Sequence, residues 1–132
     1  MPINSDQDIV LARQKGKTLA ADAGFSPVDC TLVATAISEL ARNIVSYAKK
    51  GEIALQLVRD SRRSGILIIA SDDGPGIADL RLALRDGFST SGSLGLGLPG
   101  VRRLVDEFQI SSSAGQGTVV KVTKWRLDHR EK

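Results

Sequence analysis

Between Asp72 and Gly100 the chain carries a high density of glycine. The segment begins with DDGPGI, an aspartate that leads into a Gly-Pro-Gly turn, and ends with SGSLGLGLPG. Glycine accepts positive φ and lets the backbone approach a ligand closely, at an entropic cost on folding. The last glycines run into an apolar-periodic stretch from Val101 to Phe108, and Pro99 suits the first turn of a helix. A glycine loop that opens a helix binds anions readily, so the segment indicates a phosphate-bearing ligand held by backbone N–H groups.

An acid and an amide lie four residues apart in the predicted helix over residues 28–49. Glu39 and Asn43 therefore share one helix face, at the border of its apolar stripe. Asn43 offers a neutral oxygen to Mg²⁺, a hard cation that prefers oxygen ligands. Glu39 could accept a proton from an attacking hydroxyl or water. Taken alone, such a pair is more typical of a solvated helix edge.

Composition limits the function classes. A length of 132 residues, with 42% apolar and 25% charged residues, is typical of one globular domain. The net charge of +3 comes from scattered basic residues, which does not indicate a nucleic-acid surface. No apolar run is long enough to span a bilayer. The single Cys30 cannot form an internal disulfide, which fits a reducing compartment. We expect a soluble cytoplasmic protein without nucleic-acid or membrane partners.

Two helices are predicted before the glycine-rich segment. The first runs from residue 6 or 8 to about residue 23, and Gly24 is placed to end it. The second follows Ser26, a favourable N-cap, and Pro27, a favourable first helical residue. Its apolar residues recur at helical spacing from residue 28 to about residue 49. This second helix carries the Glu39–Asn43 pair.

The remaining pattern predicts a sheet. Alternating residues predict a half-buried strand over 52–58, and the apolar run at 66–70 is typical of a buried central strand. Further elements are predicted as a short helix over 79–86, a helix over 99–107, and a hairpin of strands 109–113 and 118–125. Residues 1–5 are expected to be loose or paired at an edge, and the charged tail from residue 126 is expected to fray. The outline is an α+β sandwich with helices on one face of a mixed sheet.

The motifs together resemble a known nucleotide-binding fold. ELARN at 39–43, DDGPG at 72–76 and SGSLGLGL at 91–98, followed by GT at 117–118, resemble the N box and glycine boxes of the GHKL ATPases. That superfamily includes gyrase, a heat-shock chaperone family, histidine kinases and MutL. Within it, AISELARNI, GPGI, DGFSTSGSLGLGLPGVRRL and the closing TKW are similar to the RsbT-type serine/threonine switch kinases of bacterial stress signalling.

This resemblance implies a Bergerat-type two-layer sandwich, a mixed sheet covered on one face by about three helices. It covers residues 28–125 and implies one domain over residues 1–132. The parts of that domain would be an N-terminal helix, the N box at 39–43, a first glycine box at 72–76, the lid and second glycine box at 87–100, and a C-terminal hairpin.

The resemblance also assigns roles residue by residue. Asn43 matches the Mg²⁺-binding asparagine, Glu39 the candidate general base, and Asp72 the aspartate that accepts the adenine amino group. The other matches line the nucleotide site: Gly74 and Gly76 at the pocket floor, Gly92, Gly95, Leu96 and Gly97 in the lid, and Thr118 near the adenine. The implied cofactors are ATP and Mg²⁺. Asp72 also ends a buried strand, where a carboxylate needs a donor partner to offset desolvation.

Two functions follow from this assignment. The resemblance implies a protein serine/threonine kinase that transfers the ATP γ-phosphate to STAS-domain antagonists of the RsbS or RsbR type in a stressosome. The kinase would then activate a downstream regulator such as a PPM-type phosphatase. The alternative is a non-catalytic ATP-binding module of the anti-sigma type, which sequesters a protein partner. Both need the same pocket, and Glu39 favours the kinase.

Several of these residues also have a purely structural interpretation. Asp72–Gly74 could be a turn after a strand, and the glycine run could be a flexible loop. Arg42, Arg102 and Arg103 could reach a phosphate or a partner, but most arginines at such positions cover a helix surface. His129 lies in the charged tail, and no role is expected for it.

Overall fold

A computed structural model of the chain describes residues 1–75, 97–112 and 115–126. The elements follow in the order β1 (Pro2–Ile3), α1 (Asp6–Asp22), α2 (Pro27–Asn43), a π-helical turn (Ile44–Ala48), β2 (Gly51–Asp60), β3 (Arg63–Asp72), α3 (Gly97–Leu104), β4 (Glu107–Ser112) and β5 (Thr118–Trp125). The helix predicted over 79–86 and the tail beyond residue 126 lie outside the described residues.

The five strands form one sheet in the order β1-β2-β3-β5-β4, and every described pair is antiparallel. The prediction of a mixed sheet was therefore wrong in this respect. Hairpins impose antiparallel pairing on β2 with β3 and on β4 with β5, since parallel neighbours need a long crossover. β4 does run parallel to β3, but β5 lies between them, so no parallel pair arises. The edge pairing of the first residues is as predicted.

The start of α2 also follows the prediction. The Ser26 side chain accepts a hydrogen bond from the Asp29 backbone N–H at 3.1 Å, and Pro27 is the first helical residue. This bond satisfies one of the backbone donors that a helix start leaves free. Ser5 stands at the same position before α1, but its side chain makes no capping bond. The two helix starts therefore differ in how much their serine stabilises them.

The end of α2 differs from the prediction of one continuous helix to Lys49. The α-helix ends at Asn43 and continues as the π-helical turn, which Lys49 ends with a φ of 75°. A π-helical turn contains more residues than an α-helical turn, and it redirects the side chains that follow. The apolar spacing of residues 44–48 fits either geometry, so the sequence did not distinguish them.

The core lies between the helices and one face of the sheet. Its largest fully buried side chains include Ile37 and Leu40 of α2, Ile66 and Ile68 of β3, and Val122 of β5. On the other face of β3, Leu67 and Ile69 are only half-buried, so the strand predicted to be buried on both sides is covered on one. The predicted two-layer α+β arrangement is confirmed.

Replacing Ser26 tests the helix start that positions α2. Ser26→Ala should lower the free energy of unfolding by about 1 kcal/mol, because the Asp29 N–H loses its acceptor. Ser5→Ala is the matched control and should cost less than half as much, since Ser5 makes no capping bond. Urea unfolding followed by circular dichroism measures both. Equal losses would mean that the Ser26 bond does not stabilise α2.

Candidate functional site

A single row of residues crosses the sheet beside the π-helical turn. Its members are Ile3, Gly51, Asp72, Thr118 and Ser112, each opposite the next in the antiparallel pairing. Residues opposite each other in such pairs project to the same face, with Cβ atoms about 4.5–5.5 Å apart. Asp72 and Thr118, both predicted to lie near an adenine, are therefore direct neighbours.

The row projects to the face that the helices cover. Asp72 lies two residues beyond Ala70, which is buried in the core, and alternate residues of a strand share a face. A Cβ added to Gly51 would lie 2.9 Å from Cγ2 of Ile44 and 3.0 Å from Cβ of Asp72. The Asp72 side chain is thus next to the first residue of the π-helical turn.

Three glycines allow the backbone to close around Asp72. A Cβ on Gly51 would lie 2.4 Å from the Ser71 carbonyl oxygen, and one on Gly117 would lie 2.1 Å from the Asp72 carbonyl oxygen. A Cβ on Gly74 would lie 2.5 Å from Cβ of Ala48. No side chain fits at these distances. The backbone around Asp72, which we call the glycine cradle, is therefore tightly packed and holds this residue in place.

Gly74 was predicted as part of the site, whereas Gly51 and Gly117 were missed. Gly51 follows the end of the helix predicted to about residue 49, where a glycine is expected only as a helix breaker. Gly117 belongs to the GT motif at 117–118, which was a usable signal, but only Thr118 was assigned a role. Their contacts come from strands far apart in sequence, so local patterns did not reveal them.

The Asp72 carboxylate also closes a turn. Its Oδ1 accepts a hydrogen bond from the Gly74 backbone N–H at 2.9 Å. The structural interpretation of Asp72–Gly74 as a turn is therefore correct. It does not exclude a ligand, because an ionised carboxylate offers about four acceptor positions. The turn fixes one oxygen and leaves acceptor capacity on the group.

A cavity of about 400 Å³ adjoins Asp72. Its walls include Ala48 of the π-helical turn, Gly51 of β2, and Pro2 and Asn4 at the N-terminus. Glu52 and Ser71, whose side chains project to the other face of the sheet, line it as well, so the cavity opens at the end of the sheet. The N-terminal segment, for which no functional role was predicted, thus forms one wall beside Asp72.

Glu39 lies at the other end of the site and is almost fully buried, with 7% of its surface exposed. Its Oε2 pairs with Nη1 of Arg42, and its Oε1 accepts a hydrogen bond from the Gly97 backbone N–H at 3.2 Å. Burying a charge is costly unless it is paired and hydrogen-bonded. Both oxygens have partners here, so the carboxylate is tolerated inside the protein. The interpretation of Glu39 as part of a solvated helix edge was wrong.

The sequence favours a surface-covering role for Arg42, with a phosphate or a partner as the alternative, and the structure gives it the Glu39 carboxylate as a partner. Its side chain remains 40% exposed. The three-residue spacing from Glu39 was a signal for this pair, since residues at i and i+3 are neighbours on a helix.

Gly97 opens α3, which packs against α2. Its φ of 67° lies in the left-handed region that favours glycine. The helix begins two residues before the predicted start at Pro99 and ends at Leu104, and Glu107 belongs to β4 instead. The start of the helix predicted after the glycine run therefore lies directly beside the predicted base, while residues 91–96 of that run lie outside the described residues.

Asn43 is the last residue of α2 and is half-buried, one turn beyond Glu39. Within the described ranges, no group of three or more His, Cys, Asp or Glu side chains is arranged to hold a metal ion. Mg²⁺ is usually held by one or two protein oxygens together with waters and substrate phosphates. A single carboxamide oxygen at this position fits that donor set.

The structure brings the described candidates into two groups. Asp72, Gly74 and Thr118 lie together at the end of the sheet, while Glu39 and Gly97 meet between α2 and α3. Four predicted residues, Gly76, Gly92, Gly95 and Leu96, lie outside the described residues. In the part of the chain that is described, none of the helices has the length and apolar character to cross a membrane.

Gly117→Ala tests whether the cradle around Asp72 is tight. The added methyl would meet the Asp72 carbonyl oxygen, so the substitution should lower stability by at least about 1 kcal/mol more than Gly115→Ala. Gly115 is a matched control, because its φ of 79° is close to the 80° of Gly117 but an added Cβ there meets nothing within 4 Å. Thermal unfolding measures both variants. Equal losses would mean that only backbone strain, and not the contact with Asp72, is at stake.

Comparison with known proteins gives a family. Residues 28–129 match the model described as "Histidine kinase-, DNA gyrase B-, and HSP90-like ATPase". Among curated proteins, the serine/threonine-protein kinase RsbT of Bacillus subtilis is 54% identical over 123 residues, which cover 93% of this chain and 92% of that protein. An anti-sigma F factor of Caldanaerobacter subterraneus is 27% identical over 130 residues, which cover 93% of this chain and 89% of that protein.

Among solved structures, the mycobacterial sensor histidine kinase MprB superposes with a TM-score of 0.58 at 14% identity, and covers 96% of this chain and 97% of its own. This likeness shows the fold alone. The family match and the 54% identical relative confirm the resemblance stated from the sequence motifs. The predicted enzyme class is confirmed by this relative, which is a serine/threonine-protein kinase.

Proposed function

Because the chain belongs to the histidine kinase-, DNA gyrase B- and HSP90-like ATPase family, we propose that it transfers the γ-phosphate of ATP to a hydroxyl side chain of a partner protein. The observation that carries this proposal is the buried carboxylate of Glu39 beside the first amide of α3. Phosphoryl transfer requires mainly positioning, charge stabilisation and a base to orient the hydroxyl. Glu39 supplies such a base at the phosphate end of the site.

The Asp72 end of the site would bind the adenine. Its carboxylate would accept a hydrogen bond from the exocyclic amino group, and Thr118 lies opposite it in the sheet. The glycine cradle supports this assignment, since the close backbone approach at Gly51, Gly74 and Gly117 holds Asp72 in place beside the cavity. The reacting phosphates would then lie toward α2 and α3.

At that end, the Gly97 N–H would donate to a phosphate oxygen, and Asn43 would hold Mg²⁺ through its carboxamide oxygen. The ion supplies neutralisation of phosphate charge. Glu39 would accept the proton of the attacking seryl or threonyl hydroxyl. The hydroxyl oxygen forms a bond to the γ-phosphorus, the bond from that phosphorus to the β-bridging oxygen breaks, and ADP leaves with the electron pair.

The partner we propose is a STAS-domain antagonist of the RsbS or RsbR type in a stressosome. A downstream regulator such as a PPM-type phosphatase would be the second partner, engaged after the transfer, and the reaction would take place in the cytoplasm. The similarity to a serine/threonine-protein kinase over 93% of the chain supports a protein substrate. The motif resemblance supports the STAS class.

A second function has an observation in its favour. The 27% identity to an anti-sigma F factor, over 93% of this chain, supports a module that sequesters a protein partner, and we propose that such a module would bind ATP without transferring phosphate. Such a module would use the same adenine site. It would not need the Glu39 carboxylate as a base, so the two functions differ in what Glu39 does.

Incubation with Mg-ATP and a purified STAS-domain protein separates the two functions. Phosphoserine or phosphothreonine on the partner is expected for the kinase, and nucleotide-dependent binding without transfer for the module. Glu39→Ala should slow transfer at least about 100-fold, because a general base contributes on the order of 10²–10⁴ in rate. Nucleotide binding should persist in this variant. Loss of binding and transfer to the same extent would contradict the role of Glu39 as a base.

Asp72→Asn tests the adenine site. The variant keeps an acceptor for the Gly74 N–H, but its new NH₂ group would face the donor of the adenine. We expect nucleotide binding to weaken at least about tenfold, which is in the range for a lost hydrogen bond to a charged group. Asp22→Asn removes the same charge at the exposed end of α1, which does not line the cavity, and should have little effect in calorimetric titrations with ADP. Equal weakening in both variants would indicate a general charge effect instead.

A further inference from the structure

We propose that Glu39 and the phosphates of the nucleotide compete for one backbone donor, the N–H of Gly97, so that nucleotide binding releases the candidate base. This inference rests on the proposed function, since it concerns the same site. It adds a form of regulation, because the carboxylate is held by α3 until a phosphate takes its place.

The starting point is the hydrogen bond between Gly97 N and Oε1 of Glu39, 3.2 Å long, which joins two residues 58 positions apart. Glu39 is 7% exposed, so this contact lies between packed helices and is not a surface encounter. The amide belongs to the first residue of α3, where backbone N–H groups lack partners within the helix. A negative group at this position is stabilised, and the Glu39 carboxylate is that group in the structure.

A phosphate that binds the same amide would compete with the Glu39 carboxylate, which is also negatively charged. One N–H forms one strong hydrogen bond, so the carboxylate and the phosphate cannot both take full advantage of it. Two anions held close together also repel each other strongly where water is excluded, because the effective dielectric constant is low. Nucleotide binding should therefore displace Oε1 of Glu39 from Gly97.

Arg42 explains why the displaced carboxylate would stay in the site. Its guanidinium pairs with Oε2, the other oxygen of Glu39. Because Arg42 and Glu39 belong to the same helix, this pair does not depend on α3. Release from Gly97 would leave Oε1 free to accept a hydroxyl proton while Oε2 remains held. Nucleotide binding would thus bring the phosphate donor into the site and release the base at the same time.

The competition has a reciprocal consequence that can be measured. If the nucleotide weakens the bond between Glu39 and Gly97, that bond weakens nucleotide binding by the same factor. Removing the negative charge of Glu39 should therefore tighten binding of a nucleotide that carries phosphates. It should not change the binding of adenosine, which has none.

The test measures the affinity of Glu39→Gln for the Mg²⁺ complex of a non-hydrolysable ATP analogue and for adenosine, by calorimetry. We expect the analogue to bind at least about fivefold more tightly than to the wild type, the lower end of typical coupling between sites. Adenosine affinity should be unchanged. Asp22→Asn, a carboxylate-to-amide change at the exposed end of α1, is the control for net charge and should alter neither. Unchanged or weaker binding of the analogue to Glu39→Gln would overturn the proposal.

A second measurement detects the hydrogen bond between Gly97 and Glu39 directly. In nucleotide-free protein, the Gly97 amide resonance should shift and its hydrogen exchange should speed up in Glu39→Ala but not in Asp22→Asn. An unchanged Gly97 amide in Glu39→Ala would also overturn the proposal. Neither readout requires phosphoryl transfer. A wild type that transfers no phosphate to a STAS protein would contradict the proposed function alone, whereas an insensitive Gly97 amide would contradict only this inference.

Discussion

The antiparallel register that sets Gly51, Asp72 and Thr118 side by side is the constraint on which the rest of the site depends. Side chains alternate between the faces of a strand, so a slip of one residue in β3 would turn Asp72 away from the helices. The same register brings the backbone of Gly117 against the Asp72 carbonyl oxygen. The glycines around Asp72 are therefore a consequence of strand pairing: three chain segments meet where only hydrogen atoms fit.

The π-helical turn connects this end of the sheet to the buried carboxylate on α2. Ile44 and Ala48 begin and end the turn, and they lie against the positions where Gly51 and Gly74 lack side chains. Glu39 and Asn43 precede the turn on the same helix. The distance between the two groups of site residues is thus set by one helix that packs directly on the sheet, and bulk added at Gly51 or Gly74 would act on both groups.

The sequence predicted what depends on local chemistry. The start of α2 follows from Ser26 and Pro27, and the strands follow from alternation and apolar runs. It did not predict that every described strand pair is antiparallel, which depends on where β5 inserts. It also did not predict the π-helical turn, whose apolar spacing also fits an α-helix. The bond between Glu39 and Gly97 joins distant segments and leaves no local pattern. For the same reason the resemblance identified candidate residues, but it did not indicate that Glu39 is held by α3.

The burial of Glu39 helps to distinguish the two proposed functions. If the phosphates bind beside Glu39 as proposed, a protein that only binds the nucleotide would gain nothing from an anion there, because the charge would repel the ligand and its burial is costly. A neutral side chain of similar size would serve such a module better. In this chain Arg42 and the Gly97 amide compensate the carboxylate instead of a neutral residue replacing it. In the proposed role of a base, the group would have a proton to accept, which would explain a buried charge of this kind and favours the proposed kinase over the binding module.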